Sequence, residues 1–240
     1  MQCVVLAGGL GTRMRPRTET VPKSLLEVAG RPFVDHQLAW LAAHGVEEVV
    51  LSVGYLGEMI EAHVRDGARF GLRVRYVMEG AVLLGTAGAL RLAAEQGALA
   101  PEFLVTYGDS YLPIDFAAVG EAFRASGAPA LMTVFHNAGR FDTSNVVFDE
   151  ATGRIVLYDK RRELRPLEEF RHIDYGLSAL RRSVVDQIPS GVRHDLADVF
   201  RELSLRGELA GFAVTERFYE VGSPQGLADL EALVGGAVSR

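Results

Sequence analysis

Leu6-Ala7-Gly8-Gly9-Leu10-Gly11-Thr12-Arg13-Met14-Arg15-Pro16-Arg17-Thr18-Glu19-Thr20-Val21-Pro22-Lys23 is the chain's first passage from strand to loop. The preceding Cys3-Val4-Val5-Leu6 run has the length and β-branching of a short buried strand, so the glycines open a loop at a strand end. Gly8, Gly9 and Gly11 permit positive φ and let bare backbone N–H groups converge on an anion. Arg13 and Lys23 add fixed positive charge. Amides plus cations suit a polyphosphate, whose oxygens need donors and whose charge needs neutralising. Glycines after a strand also make plain turns, and arginines also decorate surfaces, so the residue types alone leave both readings open. The spacing Gly8-Gly9-Leu10-Gly11-Thr12-Arg13 is neither GxGxxG nor GxxxxGK[ST], which disfavours a dinucleotide site or a P-loop.

Working outward, 240 residues with 48% hydrophobic content suffice for one large α/β domain with a buried core. A formal net charge of −6 gives no electrostatic footprint for nucleic acid or an anionic membrane, so an anionic substrate needs a local basic pocket. The single cysteine, Cys3, precludes an internal disulfide and lies in an apolar run as a buried, inert thiol. No charged leader with a long apolar segment opens the sequence and no stretch approaches a membrane span, so a soluble cytoplasmic protein is expected.

Pro32 starts a helix in which Val34, Leu38 and Leu41 recur until Gly45 stops it. Strands are expected at Glu48 to Val53, Arg73 to Val77 and Phe103 to Tyr107, with helices over Leu56 to Arg65 and up to Glu95. This alternation predicts a parallel sheet covered on both faces. A helix at Phe116 to Arg124 and a strand at Ala130 to His136 follow. From Asn137 the spacing changes, and short strands at Asn145 to Phe148 and Ile155 to Tyr158 predict an antiparallel insertion over the site. His194-Asp195 caps a helix running to Arg206. A closing helix covers Gln225 to Val234.

Three further stretches carry chemistry. Glu79 to Leu90 is a small-residue turn opening a helix at a strand's C-terminal end, where α/β sheets bind ligands or where small residues simply allow close packing. Asp109 follows a strand through Gly108 and is placed to hold Mg²⁺, a hard cation that takes carboxylate and phosphate oxygens. Gly176, inside Ile173-Asp174-Tyr175-Gly176-Leu177-Ser178, marks close approach of a ligand or backbone.

The opening stretch resembles the signature loop of the sugar-1-phosphate nucleotidyltransferases, which runs roughly LAxGxGTRxxPxTxxxPK. LGTAGALR resembles that family's base segment, Gly108-Asp109 its metal-binding pair, and Asp159-Lys160 its acid-Lys pair with Asp for Glu. Phe218-Tyr219-Glu220-Val221-Gly222-Ser223-Pro224 resembles (F/W)xDxGTP with Glu220 for Asp. The resemblance implies a Rossmann-like three-layer sandwich with a mostly parallel central sheet, in one domain. Residues 1–136 would mainly bind nucleotide, 137–223 sugar phosphate, and 224–240 would close the fold. It implies transfer from an NTP to a sugar 1-phosphate with release of pyrophosphate.

In that reading Leu6, Ala7, Gly8, Gly9, Gly11, Thr12, Glu79, Leu84, Gly85 and Thr86 bind nucleotide. Arg13, Lys23, Asp109 and Lys160 are catalytic, Asp109 and Glu220 hold Mg²⁺, and Asn145, Asp159, Tyr175 and Gly176 contact the sugar. Glu79, as a carboxylate acceptor, suits guanine N1–H and N2–H₂ and favours GTP, with mannose or heptose 1-phosphate as partner. A UTP- or CTP-dependent member, such as one acting on muramate 1-phosphate, and a catalytically silent nucleotide-sugar binder stay open. A homodimer would be ordinary for such a chain.

Overall fold

The computed structural model describes residues 1–80, 82–137, 139–141 and 143–238. The first half alternates strands and helices: β1 (Gln2–Ala7), the short pair β2 (Glu27–Val28) and β3 (Arg31–Pro32), α1 (Phe33–Ala43), β4 (Glu48–Val53), α2 (Gly57–Val64), β5 (Arg73–Met78), α3 (Gly85–Glu95) and β6 (Glu102–Tyr107). Next come β7 (Ser110–Tyr111), α4 (Phe116–Ser126), β8 (Ala130–His136), β9 (Val146–Asp149) and β10 (Arg154–Tyr158). The remainder is β11 (His172–Arg181), α5 (Arg182–Val185), α6 (Leu196–Leu205), β12 (Leu209–Val214), β13 (Tyr219–Glu220) and α7 (Pro224–Val238).

Nine strands form one sheet in the order β5-β4-β1-β6-β11-β8-β12-β10-β9. All but β10 and β11 run in one direction, so the sheet is mostly parallel as expected. Helices cover both faces. On one, Val34, Leu38 and Leu41 of α1, Ile60 of α2 and Phe116 and Phe123 of α4 pack against Cys3, Val5 and Leu51. On the other, Ala87 and Leu90 of α3 and Leu196, Phe200 and Leu203 of α6 pack against Val4, Val50 and Val105. Side chains of alternate strand residues thus serve opposite layers, as the period of a buried parallel strand requires. Cys3 is fully buried, and burial pushes its thiol far above the ordinary range, so it is inert as expected.

A third, smaller cluster lies beneath the opening loop. Met14, Leu26, Val28 and Phe33 meet Val221 of the β13–α7 connection and Leu227 and Leu230 of α7. The closing helix thereby supports the segment that carries Arg13 and Lys23.

Two expectations are corrected here. The strands expected as a lid over the site, β9 and β10, instead extend the edge of the main sheet, with β9 also pairing with β11 at Val146 and His172. Between β8 and β10 runs β12, a strand absent from the sequence reading. Its interior Gly211 stands where a Cβ would collide with the Phe148 ring and Ile155, so it bears no side chain because others cover it.

Candidate active site

The chain runs outward from β1 through β4 to β5 and then returns to the other side of β1 as β6. That reversal opens a crevice beyond the strand ends. A cleft of about 280 Å³ lies there, lined by Leu6 to Gly9 from the β1 end, Gly108 and Asp109 from the β6 end, Glu79 from the β5 end, and Lys23. The α3 start contributes Gly85 and Thr86, and Arg193 closes the far side.

The floor is tight because its backbones touch. A Cβ on Gly108 would lie 2.6 Å from the Ala7 Cβ, and one on Gly8 would collide with the Glu79 carboxylate. Glycine at these positions lets the Asp109 turn and Glu79 close on the loop. Lys23 Nζ donates to Asp109 Oδ2 at 2.9 Å, with both side chains largely shielded from solvent. Arg13 is exposed and flanks this pair: Lys23 Nζ and an Arg13 guanidinium nitrogen lie 3.3 and 3.4 Å from where a Cβ on Gly222 would stand. Gly11, at φ 62°, accepts from Thr18 Oγ1 and leads with Thr12 into the short turn that holds Arg13; neither lines the cleft.

Glu79 enters the cleft half-buried. Burial raises its carboxyl above the usual range, opposed by the N–H of Leu84 donating to Oε2 at 3.0 Å. Leu84, expected to face the base, does not line the cleft; Leu83 does, while the Leu84 carbonyl accepts from His194 N. The His194 carbonyl in turn accepts from Ala87 N and Gly88 N at the α3 start. Thr86 Oγ1 donates to Asp195 Oδ1 and accepts from Leu196 N, so the starts of α3 and α6 cap one another. Asp195 also accepts from Ala197 N, the capping role expected of it.

On the acceptor side, Lys160 is exposed, with Nζ 4.0 Å from Asp195 Oδ1. Three residues expected around it serve other purposes. Asp159 is fully buried, and its carboxylate accepts from the N–H groups of Arg161, Glu163 and Leu164. It closes its own turn and does not face a ligand. Tyr175 points into the core, edge-on to Phe218 and near Phe135. Asn145 half-faces solvent and accepts from Asp174 N at 3.2 Å, bracing β11. Gly176, at φ 102°, sits beside Ser110 and the Tyr107 ring, where β11 slips register against β8.

Sequence reasoning missed two residues here. Asp174 alternates with Tyr175 on the other face of β11, and it lies with Asp109 and Asp195 in the electrostatic surroundings of Tyr107, a lining residue. Burial lifts its carboxyl to about 6, against the pull of the Gly176 N–H and of Lys160. Period-two alternation from Tyr175 would have found it. Arg193 lines the cleft; as a lone arginine in a loop it gave no signal.

Glu220 was expected as a metal ligand beside Asp109. The backbones are adjacent: Glu220 pairs with Ser110, and Val221 N donates to the Asp109 carbonyl at 2.9 Å. Yet the Glu220 carboxylate accepts from Gly222 N and from Ser223 Oγ at 2.6 Å, fastening the start of α7. Among the described residues no cluster of three or more His, Cys, Asp or Glu is arranged to hold an ion. Asp109 leaves Oδ1 open to a hard cation, with only a 3.5 Å contact from Ser110 Oγ, while Oδ2 is taken by Lys23; Glu220 could join it only by releasing Gly222 and Ser223.

A mostly parallel sheet with a glycine-floored crevice, a paired Lys and Asp, and a second carboxylate at Glu79 agrees with the comparisons to known proteins. Residues 2–155 match the nucleotidyl transferase family model, and the chain belongs to that family. It is 32% identical over 238 residues to N-acetylmuramate alpha-1-phosphate uridylyltransferase of Caulobacter vibrioides, covering 95% of each chain. It is 30% identical to UTP–glucose-1-phosphate uridylyltransferase of Synechocystis and 32% identical to mannose-1-phosphate guanylyltransferase of Mycobacterium tuberculosis, over 85% and 96% of this chain. It spans only 55% and 64% of those two relatives' lengths. The fold superimposes on a putative glucose-1-phosphate thymidylyltransferase of Bacillus anthracis with a TM-score of 0.81 at 20% identity, covering 97% of this chain and 94% of that one.

Proposed function

We propose that the chain joins a nucleoside triphosphate to a sugar 1-phosphate, giving an NDP-sugar and pyrophosphate. The observation that carries this is the meeting of the Gly8-Gly9 floor, Lys23, Asp109 and Glu79 in one cleft. A sugar phosphate is already an anionic nucleophile, so the reaction needs no base. One of its oxygens bonds to the α-phosphorus, the bond from that phosphorus to the bridging oxygen breaks, and pyrophosphate leaves with the electron pair. The barrier is bringing anions together and neutralising charge as it moves onto the leaving group.

Arg13 and Lys23 flank the position for the triphosphate, and Lys160 and Arg193 approach from the side where the sugar phosphate would enter. Asp109 would hold a divalent ion such as Mg²⁺, which supplies charge neutralisation to the phosphates when bound. Asp109 is itself held by Lys23, so the carboxylate and the cation stand ready on one side of the reacting phosphates. Residues 1–136 would serve mainly the nucleotide, 137–223 mainly the sugar phosphate, and the closing helix of 224–240 would complete the fold.

Glu79 supports GTP, because a carboxylate at the base end accepts from the N1–H and N2–H₂ edge of guanine. Pyrophosphate release is measured with ATP, CTP, GTP and UTP against a panel of sugar 1-phosphates, mannose, heptose and muramate derivatives included. GTP is expected to turn over fastest. Preference for UTP or CTP overturns the base assignment, and no release from any combination overturns the transferase.

A further inference from the structure

We propose that Gln37 is a positioning residue that sets the Asp109 turn against the cleft. The inference rests on the reading of Asp109 as part of the transferase site. Gln37 lies on α1 with 4% of its surface exposed, facing the sheet and not the solvent. Its Nε2 donates to the Tyr107 and Ser110 carbonyls, both at 2.8 Å. Both neighbours are carbonyl oxygens, so only the amide's NH₂ end suits the site, and the amide orientation follows from its partners. Its Oε1 accepts from no group among the described residues, and Gln37 lines a small cavity with Trp40 and Phe116. Gln37 therefore acts here purely as a double donor.

Those two carbonyls bracket Gly108 and Asp109. The intervening carbonyls are held as well, Gly108 by Ser24 Oγ at 2.9 Å and Asp109 by Val221 N at 2.9 Å. Four consecutive carbonyls thus bond to groups from three separate parts of the chain. A turn held this way keeps its carboxylate in place while leaving that carboxylate free of its own backbone. Gln37 supplies two of the four bonds, and it is the one member that reaches both ends of the turn. Without its NH₂, two shielded carbonyls lose their partners and the turn can move toward water to find new ones. A shift near 1 Å at a reacting group is enough to slow chemistry steeply.

The test compares wild type with Gln37→Met, which keeps length and removes both donors, and Gln37→Asn, which keeps the amide one methylene short. Trp40→Phe, in the wall of the same small cavity, controls for packing. Hydrogen exchange is followed on the peptide spanning 107–111, alongside kcat, KM for both substrates and thermal melting. Gln37→Met is expected to exchange faster at 107–111 than in the strand interiors and to lower kcat about 100-fold with KM nearly unchanged. Gln37→Asn should fall between it and wild type, and Trp40→Phe should lower melting without either effect. Unchanged exchange, unchanged kcat, or a loss that tracks melting equally in Trp40→Phe overturns the proposal. The exchange arm needs no turnover, so it decides the clamp even if wild type releases no pyrophosphate, an outcome that would count against the transferase reading alone.

Discussion

Past the ends of β6 and β10 the chain sets a carboxylate in a tight turn, Asp109 in one and Asp159 in the other. In the first turn the backbone carbonyls are held by Gln37, Ser24 and Val221 from elsewhere in the chain, and the carboxylate meets Lys23. In the second the carboxylate itself collects the N–H groups of Arg161, Glu163 and Leu164. Burial raises the Asp159 carboxyl, but these three amides and Arg201 outweigh it and hold it below the usual range. The difference teaches that a carboxylate is available for chemistry where distant groups satisfy its backbone, and is consumed where it satisfies the backbone itself. Glu220 belongs to the second kind, since both its oxygens fasten the start of α7.

The largest effect expected from this contrast is at Asp109. Asp109→Ala should lower pyrophosphate release about 10³-fold, the scale of losing a principal electrostatic group, while circular dichroism and melting stay near wild type. Wild-type turnover in that variant would place Asp109 outside the chemistry. Asp159→Ala should do the opposite, keeping kcat while destabilising the fold by about 1 kcal/mol through loss of the hydrogen bonds that close its turn, read by denaturant melts. Because its folded pKa is depressed, the Asp159 contribution is present above the unfolded value near 3.9 and fades as pH falls through the folded one, so the gap to the variant should narrow in acid. A loss of turnover with unchanged stability would break the contrast.

Glu220→Gln sharpens it further. As the acceptor that holds Gly222 N and the Ser223 hydroxyl, Glu220 should cost about 1 kcal/mol of stability on substitution and leave turnover within a few-fold. A collapse in turnover matching Asp109→Ala would show that the carboxylate leaves α7 to serve the phosphates. The effect expected at Asp174 appears only against pH, because its folded pKa of about 6 lies above that of a free carboxyl. Its ionisation in a shielded place costs stability as pH rises from about 4 to 6, so Asp174→Asn should gain melting temperature over wild type across that window. A constant difference between the two at every pH would remove Asp174 from the titrating groups.

The first half of the chain was legible because its signals are local. Apolar runs, helical spacing from Val34 to Leu41 and glycines at strand ends gave β1, α1, β4 and the Asp109 turn from the sequence alone. The other half depends on pairings made across long separations. Gly211 interrupts the apolar pattern of β12, and the reason lies in Phe148 and Ile155, some sixty residues away. Nothing near β9 and β10 tells whether they cover the site or extend the sheet. Asp159 and Glu220 misled for a different reason: residue type and motif position were right for chemistry, but which atoms each carboxylate satisfies is decided by the turn that follows it.

The packing of Met14, Leu26, Val28 and Phe33 against Val221, Leu227 and Leu230 has a consequence for biosynthesis. A ribosome makes the two sides of that contact some two hundred codons apart. The segment that carries Arg13 and Lys23 is therefore translated well before the residues that support it. A nascent polypeptide arrested before residue 221 would carry all nine strands of the main sheet and still lack a rigid place for Arg13 and Lys23.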